Sequence, residues 1–80
     1  MATEPRVTQQ GPSRRIHELT AIEVDTLRYL SHGLSRNDIA RLRFVSPETV
    51  KSQTELMRAK LAAKTTAHAV AIAFRHGIIS

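Results

Sequence analysis

No cysteine occurs among the 80 residues, and tryptophan is absent as well. Without thiols the chain can form neither a disulfide framework nor a thiolate zinc site, so a reduced, cytoplasmic setting is expected. Three glycines are too few for a glycine-rich loop that cradles phosphate. No run approaches the roughly 18 apolar residues of a membrane span, and residues 1–10 lack the apolar core of a signal peptide. Acids are in deficit, with seven Asp plus Glu against twelve Lys plus Arg and a net charge of +5. Such a surface attracts polyanions. The excess lies in the second half, where Lys51, Arg58, Lys60, Lys64 and Arg75 outnumber Glu48 and Glu55. A composition of 41% apolar and 24% charged residues suits one small domain. A chain this short hides only about 60% of its unfolded surface, which leaves no room for a deep cleft between subdomains.

Residues 1–17 are rich in Thr, Gln, Pro, Gly, Ser and Arg, with Val7 and Ile16 as the only bulky aliphatic residues after Met1. They bury too little to offset chain entropy and read as a flexible tail, the domain proper occupying 18–80. Leu19, Ile22, Glu23, Thr26, Leu27 and Leu30 then recur at steps of three and four, the spacing of one helical face. Thr20 is placed to cap this first helix with Glu23 as its reciprocal partner, and Gly33 supplies the left-handed stop. Ser35 and Asp38 repeat the capping pattern and open a short second helix through Ile39, Ala40 and Leu42, ending near Arg43.

After an apolar turn at Phe44 and Val45, Ser46-Pro47-Glu48-Thr49 combines an N-cap, a proline at the first helical position and an acid at the positive end of the dipole. Val50, Thr54, Met57 and Leu61 then form one inward stripe, while Lys51, Ser52, Glu55 and Arg58 face out. A break at 62–65 precedes a fourth helix from about Thr66 to His76, stopped by Gly77. The expected fold is all-α, with four helices and no strand.

A short helix, a tight turn and a longer helix make a helix-turn-helix layout. Its second helix enters the major groove of duplex DNA, so its first turns must present short polar or basic side chains to base edges. Lys51, Ser52 and Glu55 meet that need. Ala40 is small where the two helices cross, and Val50 anchors the second.

These residues resemble the LuxR-type (GerE-like) helix-turn-helix domain of bacterial transcription regulators. The resemblance covers residues 19–79. It is carried by Leu19-Thr20, Glu23, Leu27, Gly33, Leu34-Ser35, Ile39-Ala40, the run from Val45 through Ser46, Pro47, Glu48, Thr49 and Val50 to Lys51, then Lys60-Leu61, Ala69-Val70 and Gly77-Ile78-Ile79. It implies a tetrahelical domain whose base-reading positions fall on Lys51, Ser52 and Glu55. It also implies DNA-backbone contacts at Ser35, Arg36, Asn37, Ser46, Thr49, Gln53 and Arg58. Exposed amides and hydroxyls at two helix N-termini are good phosphate donors. Glu55 can accept from cytosine N4 or simply pair with Lys51 at i, i+4. Thr54 replaces an aliphatic residue usual in the family, Gln53 a common His, and Ala62 a frequent Gly, so the third helix is expected to run on by a residue or two.

The fourth helix is apolar nearly all round. With Val70, Ala73 and Phe74 assigned to the core, Ile72 lies about 200° away from Val70 and should need cover from a twofold partner. Dimerisation through this helix is also what the resemblance implies. His17, His32, His68 and His76 lack metal-ligand spacing, and Ser46 has no glycine-flanked elbow. No enzyme activity, cofactor or metal is expected.

The resulting expectation is a cytoplasmic, nucleoid-associated transcription regulator. Its recognition helix spans about 47–61, and it binds double-stranded DNA as a homodimer on an inverted repeat. The alternative is an adaptor docking on RNA polymerase, a sigma factor or another regulator, motivated by Glu48 and Glu55 on the reading face. A residue run of tail character ahead of the reader holds no input domain, so the controlling signal is expected from elsewhere.

Overall fold

A computed structural model describes residues 14–80. A single 3-10 turn, Ile16–Glu18, precedes α1 (Ala21–Ser31), α2 (Arg36–Arg43), α3 (Pro47–Leu61) and α4 (Thr66–Arg75). Each helix starts where a side chain can replace a missing intrahelical acceptor. Thr20 Oγ1 accepts from the Glu23 N–H at 3.1 Å while Glu23 Oε1 accepts from the Thr20 N–H at 2.9 Å. Ser35 and Asp38 close the same reciprocal box on α2 at 3.1 and 2.9 Å. Ser46 Oγ accepts from the Thr49 N–H at 3.1 Å, and Thr65 from the His68 N–H at 3.0 Å. Replacing Ser46 with alanine removes such a cap from the longest helix, for an expected loss of about 1 kcal/mol. In thermal unfolding this should read as a drop of about 4–8 °C.

The helix ends are equally local. Gly33 and Gly77 take positive φ values of 89° and 71° after α1 and α4. α2 and α3 end instead on left-handed Phe44 (φ 59°) and Ala62 (φ 52°). The expected run-on of α3 past Ala62 therefore does not occur. Ala62 performs the turn that glycine would perform, and the Ala63 N–H donates to the Arg58 carbonyl at 2.9 Å. A Cβ in this backbone region costs on the order of 1 kcal/mol, which the buried Leu61 immediately before it offsets.

Two apolar clusters hold the helices. Ile39, Ala40 and Val50 join α2 to α3, with Tyr29, Leu30, Leu34 and Val45 at their edge. Leu27, Met57, Leu61, Ala69, Ile72, Ala73 and Ile79 form the larger cluster between α1, α3 and α4. Leu30 packs against both and links them. The two buried threonines are satisfied within their own helices: Thr26 Oγ1 donates to the Ile22 carbonyl at 2.8 Å and Thr54 Oγ1 to the Val50 carbonyl at 2.7 Å.

This packing corrects several expectations. Ile72 is 1% exposed and belongs to the chain's own core. The inward stripe of α4 is Ala69, Ile72 and Ala73, so Val70 moves to the rim and Phe74 turns out to 48% exposure. Ile78 and Ile79 fold back on α4 through N–H bonds to the Ala73 carbonyl, and Ile79 becomes core. At the other end, the fold begins before residue 18. The Arg15 N–H donates to the Lys60 carbonyl at 2.6 Å, and Ile16 packs on the larger cluster. Of the tail expected over residues 1–17, residues 1–13 lie outside the described residues. Finally, Ile22 is 47% exposed although its spacing placed it on the inner face. Glu23 takes the inner place and meets Lys60 Nζ at 2.8 Å.

Candidate nucleic-acid interface

α2 and α3 are held at their crossing by Ala40 against Val50, both buried. Ala40 lets the backbones approach closely. The turn between them closes on a hydrogen bond from the Val45 N–H to the Ala40 carbonyl at 3.0 Å. That crossing brings the two capped N-termini to the same side. Ser35, Arg36 and Asn37 from α2 and Pro47, Glu48 and Lys51 from α3 line one open recess. Positions expected from separate segments of the sequence thus form a continuous surface.

Lys51, Ser52 and Glu55 all lie exposed on the side of α3 away from the core, as do Ser46 and Thr49 in its first turn. α3 runs unbroken through this stretch. Among the described residues no ion pair closes between Lys51 and Glu55, so both ends remain open to an external partner. Ser46 Oγ and Thr49 Oγ1 lie 3.0 Å apart and share one hydrogen. One hydroxyl proton of that pair is therefore available to an external acceptor.

The N-terminus of α2 carries its own acid. The Ser35 backbone N–H and hydroxyl hold the Asp38 carboxyl below the usual range, with Arg41 adding to the effect. Asp38 Oδ1 sits 2.6 Å from the Arg41 guanidinium, so the added negative charge is paired. The Arg36 and Asn37 N–H groups of the first turn remain to face an anion.

Gln53 and Arg58 differ from expectation in detail. Gln53 is half-buried, and its Oε1 accepts from the Arg43 guanidinium at 2.6 Å. This bond turns the amide NH2 away from Arg43 as the free donor. Arg43 has no place among the site residues expected from sequence, and its separation of ten residues from Gln53 left no local signal. Arg58 is half-buried rather than outward, with its Nε enclosed and without a hydrogen-bond partner. It also stands about 10 Å along α3 from Lys51, outside the shared recess.

Residues 17–73 match the family described as "Bacterial regulatory proteins, luxR family". The "Putative HTH-type transcriptional regulator Rv0890c" of Mycobacterium tuberculosis is 38% identical over 76 residues, which are 95% of this chain and 9% of that protein. A Mycobacterium bovis counterpart, Mb0914c, matches to the same extent. The "Uncharacterized transcriptional regulatory protein YxjL" of Bacillus subtilis is 35% identical over 75 residues, 92% of this chain and 34% of its own length. The chain thus spans a tenth to a third of the relatives it matches. With the family match covering most of its described helices, this chain belongs to the luxR family of bacterial regulatory proteins.

Proposed function

We propose that this domain is a sequence-specific DNA-binding module of a transcription regulator, with α3 in the major groove of the duplex. The observation that carries the reading is the shared surface of the two helix N-termini, flanked by the exposed row Lys51, Ser52 and Glu55. Lys51 donates to guanine O6 or N7, Ser52 accepts or donates, and Glu55 accepts from cytosine N4. Ser35, Arg36, Asn37, Ser46, Thr49 and Gln53 position the helix through phosphates, and Arg58 lies at the far edge. The relatives' names, which describe transcriptional regulators, support the same role. The protein acts in the cytoplasm, associated with the nucleoid.

The functional form is a homodimer on an inverted repeat, with α4 at the twofold axis. Since Ile72 is interior, the contact falls on the outer side of α4 at Ala67 and Phe74, both exposed. Exposed Glu48 and Glu55 favour one other reading, a protein adaptor for RNA polymerase or another regulator. An adaptor of that kind would give no gel shift even at low salt, where phosphate attraction is strongest.

Selection of bound fragments from random duplexes provides the site and its symmetry. On the selected site Lys51→Ala should weaken binding by about 1–3 kcal/mol and relax one base position. Arg36→Ala should instead weaken selected and random duplexes alike and reduce the slope of log affinity against log salt by about 1. Equal losses on both duplexes for both variants would remove the assignment of base reading to α3.

A further inference from the structure

Phe44 combines two costs that the fold does not explain. Its backbone is left-handed, with φ 59°, where a Cβ is strained and glycine is not. Its side chain is 94% exposed, so the ring returns no burial within the chain. What α2 needs at this point is backbone geometry alone. The Phe44 N–H donates to the Arg41 carbonyl, and Val45 supplies both the following N–H bond to Ala40 and the apolar contact against the α2–α3 cluster. Glycine would meet every one of these requirements with less strain.

The surroundings of the ring indicate its partner. Phe44 lies along an open groove with Asn37, Ala40, Arg41, Val45 and Pro47. Asn37 and Pro47 also line the recess at the two helix N-termini, so groove and recess form one continuous surface. The charged side chain lining this groove is Arg41, whose guanidinium is paired with Asp38. An apolar ring on the same continuous surface as the two helix N-termini suits a deoxyribose flanked by the phosphates that those N-termini face.

We infer that Phe44 is a DNA-backbone contact in its own right. Its ring packs on the deoxyribose wall of the major groove beside the bases read by α3. The inference rests on the DNA-binding reading above and extends it to a residue that neither reads bases nor carries charge. Because the contact is apolar it releases no counterions, so it contributes affinity without salt dependence. Because it addresses sugar rather than base, it contributes equally on every sequence.

The experiment compares the wild-type protein with Phe44→Gly, Phe44→Asn and Lys51→Ala, each measured by fluorescence anisotropy on a selected and a random duplex across a salt series. Thermal unfolding is recorded in parallel. Phe44→Gly and Phe44→Asn should lose about five- to tenfold in affinity on both duplexes, the loss expected for an apolar area the size of one ring face. Their salt slopes should match the wild type, and their melting temperatures should be equal or higher because the left-handed strain is relieved. Unchanged affinity in both Phe44 variants, with Lys51→Ala impaired on the selected duplex, would overturn the inference and leave the DNA-binding reading intact. A loss confined to the selected duplex, or accompanied by a reduced salt slope, would also overturn it. Absence of any shift with the wild-type protein would sink the DNA-binding reading, and the inference with it.

Discussion

Truncating Ile72 to alanine is expected to lower the free energy of unfolding by about 2–5 kcal/mol, a large fraction of what a domain this size possesses. The side chain is enclosed by Leu27, Met57 and Leu61 from the opposing helices and by Ile79 from the returning C-terminal segment. Its neighbours on α4, Ala69 and Ala73, are too small to move into the vacated space, so a cavity persists and adds to the lost transfer energy. Urea unfolding at two protein concentrations measures this directly. The loss should be the same at both, since the contact is made within one chain. A residue serving only a twofold contact would behave otherwise: its truncation would leave the isolated domain within about 0.5 kcal/mol of wild type and weaken association instead. Phe74→Ala is expected to follow that second pattern in the proposed dimer, because its ring is already half in water.

Replacing Lys60 with methionine is expected to destabilise the domain by about 3 kcal/mol at neutral pH, at the low end for breaking a buried pair because Lys60 keeps some access to water. Lys60 Nζ meets both oxygens of Glu23 at 2.8 and 3.1 Å and the Glu18 carbonyl at 3.1 Å. The Glu23 side chain is 6% exposed and that of Lys60 20%. Burial opposes ionisation of Glu23, but Lys60 and the Thr20 N–H and hydroxyl outweigh it and hold the carboxyl below its usual range. A carboxyl depressed in the folded state contributes stability that is present above its unfolded value of about 4.3 and is lost as pH falls through the lower folded value. Wild-type stability should therefore decline on acidification below that point. Without Lys60 only the Thr20 N–H and hydroxyl oppose burial, so the depression of the Glu23 carboxyl shrinks and Lys60→Met should lose less stability than wild type as pH falls through the acid range. Glu23→Gln should flatten the wild-type acid response. Chemical denaturation from pH 7 to 3 tests all three, and parallel pH curves for wild type and Lys60→Met would exclude this role for the pair.

The helix starts were legible because capping is a matter of three residues. Thr20 with Glu23, Ser35 with Asp38, and Ser46 with Thr49 lie at i, i+3, and their hydrogen bonds form wherever the rest of the chain goes. The outward face of α3 was legible for a related reason. Val50, Thr54, Met57 and Leu61 are the buried positions of an otherwise polar helix, which leaves one choice of phase. α4 offered no such contrast. With alanines and larger apolar residues on every side, its periodicity is compatible with several rotations, and the reading from Val70 selected one that buries the wrong flank.

Local chemistry alone therefore set the number of α-helices, the N-caps of the first three and the row Lys51, Ser52 and Glu55, because each depends on neighbours within one or two turns. Only the packed chain decided the rest. The rotation of α4 follows from the return of Ile78 and Ile79 onto Ala73, and Ile22 is left outside while Glu23 meets a lysine 37 residues away. Arg43 reaches Gln53 from another helix, and Phe44 stands in water because Val45 takes the inner place. These are relations between segments whose distance is undetermined until the core closes, and no spacing along the chain encodes them.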